Sequence, residues 1–144
     1  MKMNRNTDRG FVLALLAALV VTIGCGRSGL ERSIVTGNVT IDGRPIEMGE
    51  IRFIPIKGTK APMWSAEIIK GQYSAHGRGG VPVGTHRVEF FAYVMKNAGG
   101  LDGLEVPQTQ QILPPKFNVQ STHEITIEPG SGKIAKDFNL KTSR

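Results

Sequence analysis

The residues able to do chemistry in this 144-residue chain are few and scattered, and one of them stands apart by position. Cys25 is the only cysteine. It has no internal disulfide partner, so its thiol is left for modification or for burial. His76, His86 and His123 are the only histidines, and three imidazoles would suit a transition metal if folding gathered them. Their spacing supplies no local ligand pair, so no metal site is assigned. Neither a Gly-x-Ser-x-Gly elbow nor a paired-histidine helix motif is present, so no catalytic residue and no cofactor is assigned, and a non-enzyme is expected. Gly77-Arg78-Gly79-Gly80 offers backbone donors of the kind that hold anions, but no helix follows it and it reads as a simple loop.

The segment before Cys25 gives its thiol a role. Lys2, Arg5 and Arg9 stand against a lone Asp8, and from Phe11 to Ile23 only Thr22 is polar. That is the basic n-region and apolar h-region of an export leader. Thirteen helical residues cover roughly 20 Å, too little for a bilayer core about 30 Å thick, so a permanent transmembrane span is disfavoured. The following Thr22-Ile23-Gly24-Cys25-Gly26 resembles the lipobox of bacterial lipoproteins, with Thr22 where Leu is usual. The resemblance implies cleavage before Cys25 and lipid on its sulfur, two or three acyl chains being enough for stable anchoring. Residues 1–24 then form the leader and residues 25–33 the lipidated N-terminus and tether. The eight residues Gly26 to Ser33 reach at most about 28 Å, which keeps the domain near its membrane. The expected location is the cell envelope, facing the periplasm or the exterior.

Charge narrows the partners. The chain carries +6, of which +4 remains after Gly24. The basic residues are dispersed, without the aromatic interleaving that tracks single-stranded nucleic acid, and nucleic acid is excluded as a partner.

Beyond the tether the pattern is that of short strands. Ile34 to Ile41 places Val35, Val39 and Ile41 on one face and ends at Asp42-Gly43, a tight-turn signal. Glu50 to Ile56 alternates and then meets Pro55, which cannot donate to a ladder and implies a strand end or edge. Met63 to Ile69 and Gln72 to Ala75 read as a hairpin across Lys70-Gly71, with Tyr73 packing beneath. Thr85 to Val94 sets Val88, Phe90, Ala92 and Val94 against Arg87 and Glu89. Thr122 to Glu128 and Ile134 to Leu140 suggest a closing hairpin across Pro129 to Gly132. With no sustained helical period outside the leader, residues 34–144 are expected to form a single all-β, antiparallel sandwich of about seven strands, transthyretin-like or Ig-like. Lys96 to Asn118 lacks clear alternation and reads as a long loop, functional or disordered.

Val35-x-Gly37-x-Val39-x-x-Asp42-Gly43-x-Pro45-Ile46, Gly71-Gln72-Tyr73, Val81 to Val88, Leu113 to Asn118 and Asp137-Phe138-Asn139-Leu140 together resemble the carboxypeptidase regulatory-like domain, a transthyretin-type β-sandwich. Behind a lipobox, that order looks like the small exported lipoproteins of planctomycete bacteria. The resemblance implies an accessory or interaction module and carries no shared active site. Hydroxyisourate hydrolases share the architecture but end in Tyr-Arg-Gly-Ser, where this chain ends in Leu140-Lys141-Thr142-Ser143-Arg144, so no catalytic role transfers.

The expected function is therefore a membrane-anchored envelope lipoprotein whose sandwich binds an envelope protein or polysaccharide. Phe91 and Tyr93 share the outward face of Arg87 and Glu89 and are the candidate binding surface, beside the long loop. Two alternatives remain at this stage: a periplasmic hydrolase or metal-dependent enzyme on the same fold, and a purely structural envelope protein.

Overall fold

The computed structural model describes residues 29–99 and 105–142. The leader with its expected helix, Cys25 and the first residues of the tether lie outside them. Among the described residues no helix is long and apolar enough to cross a membrane.

The fold is all-β. Its strands are β1 (Arg32–Ile41), β2 (Arg44–Pro45), β3 (Met48–Pro55), β4 (Trp64–Ile69), β5 (Gln72–Ala75), β6 (Val81–Pro82), β7 (Gly84–Gly99), β8 (Glu105–Gln111), β9 (Glu124–Ile127), β10 (Lys133–Ala135) and β11 (Phe138–Leu140). Seven of them form a continuous path, β10-β1-β5-β4-β3-β7-β8. The short β2, β6 and β11 add to β1, and β9 adds to the first part of β7. The sheet folds over on itself so that β7 faces the side of β1 that carries β11. Phe90 of β7 meets Phe138 of β11 at 4.9 Å between ring centroids, which closes the sandwich.

Local sequence explains the tight turns. Asp42-Gly43 and Lys70-Gly71 each put two successive residues at positive φ, the primed turn whose twist matches that of the flanking strands. Alternation then sorts the faces. Val35, Val39, Ile51, Phe53, Ile68, Val88 and Phe90 are fully buried in one core, with Tyr73 and Phe138 among them. Pro55 ends β3, where a residue without an N–H does no harm to the ladder.

From β1 to β8 the path is antiparallel, as expected, and only the short β10 and β11 run parallel to β1. Two expectations are corrected. The closing hairpin does not form: β9 pairs with β7 while β10 and β11 pair with β1, so Pro129 to Gly132 carries the chain across the sandwich. Both arms are apolar at alternate positions because both cover the same core, one from each side. Finally, Lys96 to Asn118 is not a long loop. β7 runs on to Gly99 and pairs with β8 from Tyr93↔Gln111 to Gly99↔Glu105, making a two-stranded arm. Most described side chains of the arm beyond Val94 are exposed, so no apolar face is selected and alternation has nothing to report.

One glycine shows how closely the ends approach. A Cβ on Gly37 would lie 1.9 Å from the Lys136 carbonyl oxygen. That carbonyl accepts from the Tyr73 hydroxyl at 2.7 Å, and Asp137 accepts from the Asn38 N–H at 2.7 Å. Gly37 thus lets the segment linking β10 to β11 fold over β1 and satisfy a buried tyrosine.

Candidate functional site

The three histidines occupy three different environments. His76 precedes the 3-10 turn Gly77–Gly79 and is exposed, its Nδ1 beside the Ser74 hydroxyl and carbonyl. His86 is fully buried on β7, where Nε2 donates to the Pro82 carbonyl at 2.8 Å and Nδ1 has no protein partner. Burial holds its pKa below the usual value, with the Pro82 carbonyl opposing. His123 stands edge-on to Phe90 and Phe138, and burial lowers its pKa too, helped by Lys136. Among the described residues no group of three or more His, Cys, Asp or Glu is placed to hold a metal ion.

The outer face of β3, β4 and β7 is where side chains converge. Register sets them in rows: Met48 opposite Ile69, Glu50 between Glu67 and Phe91, and Arg52 between Ser65 and Glu89. Arg52 ties two rows together. Its Nη2 donates to Glu50 at 2.7 Å, while its guanidinium stacks over the Phe91 ring at 4.2 Å. Arg87 donates to the buried Glu89 at 2.6 Å. The Glu50 carboxyl is held below the ordinary carboxylate range by Arg52 first, against the cost of burial, with the Ser65 and Tyr93 hydroxyls assisting. Tyr93 is pushed up, by burial first and then by Glu50.

Past this network the face opens into a hollow of about 750 Å³ lined by Glu47 to Glu50, Ser65 to Ile69 and Tyr93. A second hollow of about 410 Å³ runs around the sheet end and shares Glu47, Met48 and Tyr93 with the first. The two form one groove with Met48 and Tyr93 at its middle. Ile69, 59% exposed, and Ile112, 52% exposed, stand along it, each a large apolar side chain in solvent. The first hollow is lined by Glu47, Glu50 and Glu67 and by no basic residue, although the chain is basic overall. Glu50 and Glu67 sit directly across from each other, a pairing of like charges that costs stability unless something answers it.

Of the two aromatic residues expected at the binding surface, both are half-buried and they play different parts. Tyr93 lines both hollows. Phe91 stands on the same outer face, in the row of Glu50, and is covered by Arg52. Met48, Ile69 and Ile112 were not singled out by the sequence, where each is one more apolar residue in a strand. The one signal available was Ile69 following Ile68, since of two adjacent strand residues only one can point inward.

No family model matches the chain, and no curated protein matches it. Among solved structures, a 9R-lipoxygenase from Cyanothece PCC8801 superposes on 93% of this chain with a TM-score of 0.35 and 11% identity. The chain spans 20% of the length of that lipoxygenase, and a superposition so loose bears on neither fold nor function.

Proposed function

We propose that the chain is a lipid-anchored envelope protein, held through Cys25, whose β-sandwich binds a partner protein in the groove centred on Met48 and Tyr93. The observation that carries the binding role is that groove. It combines exposed apolar side chains with a concave surface and a few fixed polar groups, the usual make-up of a recognition site. The groove's apolar side chains and unanswered carboxylates favour a polypeptide segment with an apolar side chain next to Lys or Arg. A polysaccharide would stack on a platform of open aromatic faces, and with Arg52 over Phe91 the groove has Tyr93 alone. The resemblance to carboxypeptidase regulatory-like domains supports an accessory role of this kind, without active-site chemistry.

Two experiments test the two halves. A photo-cross-linking side chain at Met48 should give protein adducts in envelope preparations, while the same group at Val119, exposed but outside the groove, should give none. Equal adducts from both positions, or none from Met48, would sink the groove assignment. For the anchor, labelling with a palmitate analogue should tag the wild type and not Cys25→Ala; equal labelling of both would overturn it.

A further inference from the structure

We propose that the end of the sandwich where the tether leaves, carrying Leu30, Met63 and Trp64, lies against the bilayer surface, so that the groove points away from the membrane. This rests on the lipid anchor at Cys25 proposed above.

The three side chains form one end of the molecule. The Arg32 guanidinium at the start of β1 lies over the Trp64 ring at 5.1 Å, and its Nη1 donates to the Gly80 carbonyl at 3.0 Å. The Gly77–Gly79 turn closes on the same indole: a Cβ on Gly77 would be 3.1 Å from its Cζ2. Leu30 and Met63, the chain neighbours of this cluster, are 53% and 49% exposed. Arg78 is exposed in the turn beside the indole, Lys60 just before Met63 and Lys133 opposite Ile34; of the acidic residues at this end, Glu31 accepts from the Gly130 N–H and Glu128 is exposed. A half-buried tryptophan, flexible apolar side chains and basic residues are the composition that settles at the headgroup level of a bilayer and favours anionic lipid.

Chain length supplies the constraint. From Cys25 to Leu30 the extended backbone reaches at most about 18 Å. Phe53 pairs with Trp64 and Met48 with Ile69, so the middle of the groove at Met48 lies five residues further along β3, roughly 17 Å from the tether end. A lipid on Cys25 therefore brings the Leu30 end to the bilayer first.

Trp64 is the only tryptophan, which makes the native protein its own depth probe. The full chain, isolated from envelopes in detergent, is reconstituted into phosphatidylcholine–phosphatidylglycerol vesicles with or without brominated acyl chains, and lipid on Cys25 is scored by mass spectrometry. The expected result is lipid on Cys25 and a loss of Trp64 emission in the brominated vesicles relative to the unbrominated ones, as for an indole at headgroup level. The combination Leu30→Glu with Met63→Glu, both at exposed positions, should remain vesicle-bound and lose the quenching. Trp64→Phe with Tyr93→Trp, which moves the indole to the groove, should show none. Lipidated protein with unquenched Trp64, or equal quenching of the indole at position 93, overturns the orientation and leaves the anchor standing. Absence of lipid on Cys25 overturns the anchor, and the orientation with it.

Discussion

Gly37→Ala opposes two physical expectations. In an ordinary strand, glycine is the weaker choice, and alanine stabilises by about 0.4–1 kcal/mol because the unfolded chain loses freedom. Gly37 does not have positive φ, so alanine meets no backbone strain there. Its Cβ, however, would lie 1.9 Å from the Lys136 carbonyl oxygen and 2.6 Å from the carbonyl carbon, and a backbone group cannot rotate away as a side-chain tip can. Overpacking of this kind costs about 1–3 kcal/mol. Relief by swinging Lys136 aside breaks the Tyr73 hydroxyl bond to that carbonyl, worth about 1 kcal/mol. Set against the gain in the unfolded state, the net is a destabilisation of about 2–3 kcal/mol, or roughly 10 °C in Tm for a domain of this size.

Urea denaturation followed by the fluorescence of Trp64 reads this directly. Tyr73→Phe alone should cost about 1 kcal/mol, and in the Gly37→Ala background it should cost less, because the bond it removes is already strained or gone. Stability of Gly37→Ala equal to or above wild type would refute the close approach of the β10–β11 segment to β1. Strict additivity with Tyr73→Phe would refute the coupling through Lys136.

The remaining predictions use the same measurements. Phe90→Ala removes the ring that packs β7 onto β11 and should cost about 3–5 kcal/mol. His86 and His123 have pKa values depressed in the folded state, so the unfolded chain binds more protons below about 6.5. Stability should then be complete above that pH and fall as pH drops through it, as read by Tm across a pH series, with a shallower fall in His86→Gln. Ile69→Glu, at an exposed groove position, should leave stability within about 0.5 kcal/mol while abolishing cross-linking from Met48; a large loss of stability would mean that Ile69 belongs to the core.

The elements that face the core were legible because burial imprints a period. Val35 and Val39, Ile51 and Phe53, and Val88, Phe90 and Ala92 all point inward as their alternation requires, and the Asp42-Gly43 and Lys70-Gly71 turns fall where their sequence puts them. Topology was harder to read. Ile125 and Ile127 alternate in the same way as Phe138 and Leu140, and nothing in either pattern says whether the two segments pair with each other or with opposite ends of the sheet. The arm of β7 and β8 was invisible for the converse reason. Gln108, Thr109 and Gln110 meet solvent, so hydrogen bonding alone makes them a strand.

The groove was illegible for a third reason, which also explains why it is better evidence than any of its residues. Met48, Ile69 and Tyr93 come from three strands, and an apolar residue on the outer face of a strand is unremarkable by itself. Only the register makes them neighbours, and the same register sets Glu50 against Glu67 and Arg52 over Phe91. Arg52 answers Glu50 from one side, whereas Glu67 faces the hollow with no ion pair among the described residues. A face selected only for solubility would have no use for apolar side chains beside opposed carboxylates in a concavity. A cationic, partly apolar segment answers both, so Glu67→Lys should weaken Met48 cross-linking at low salt, and high salt should weaken it in the wild type. Cross-linking indifferent to both changes would leave the apolar contacts as the whole of the recognition.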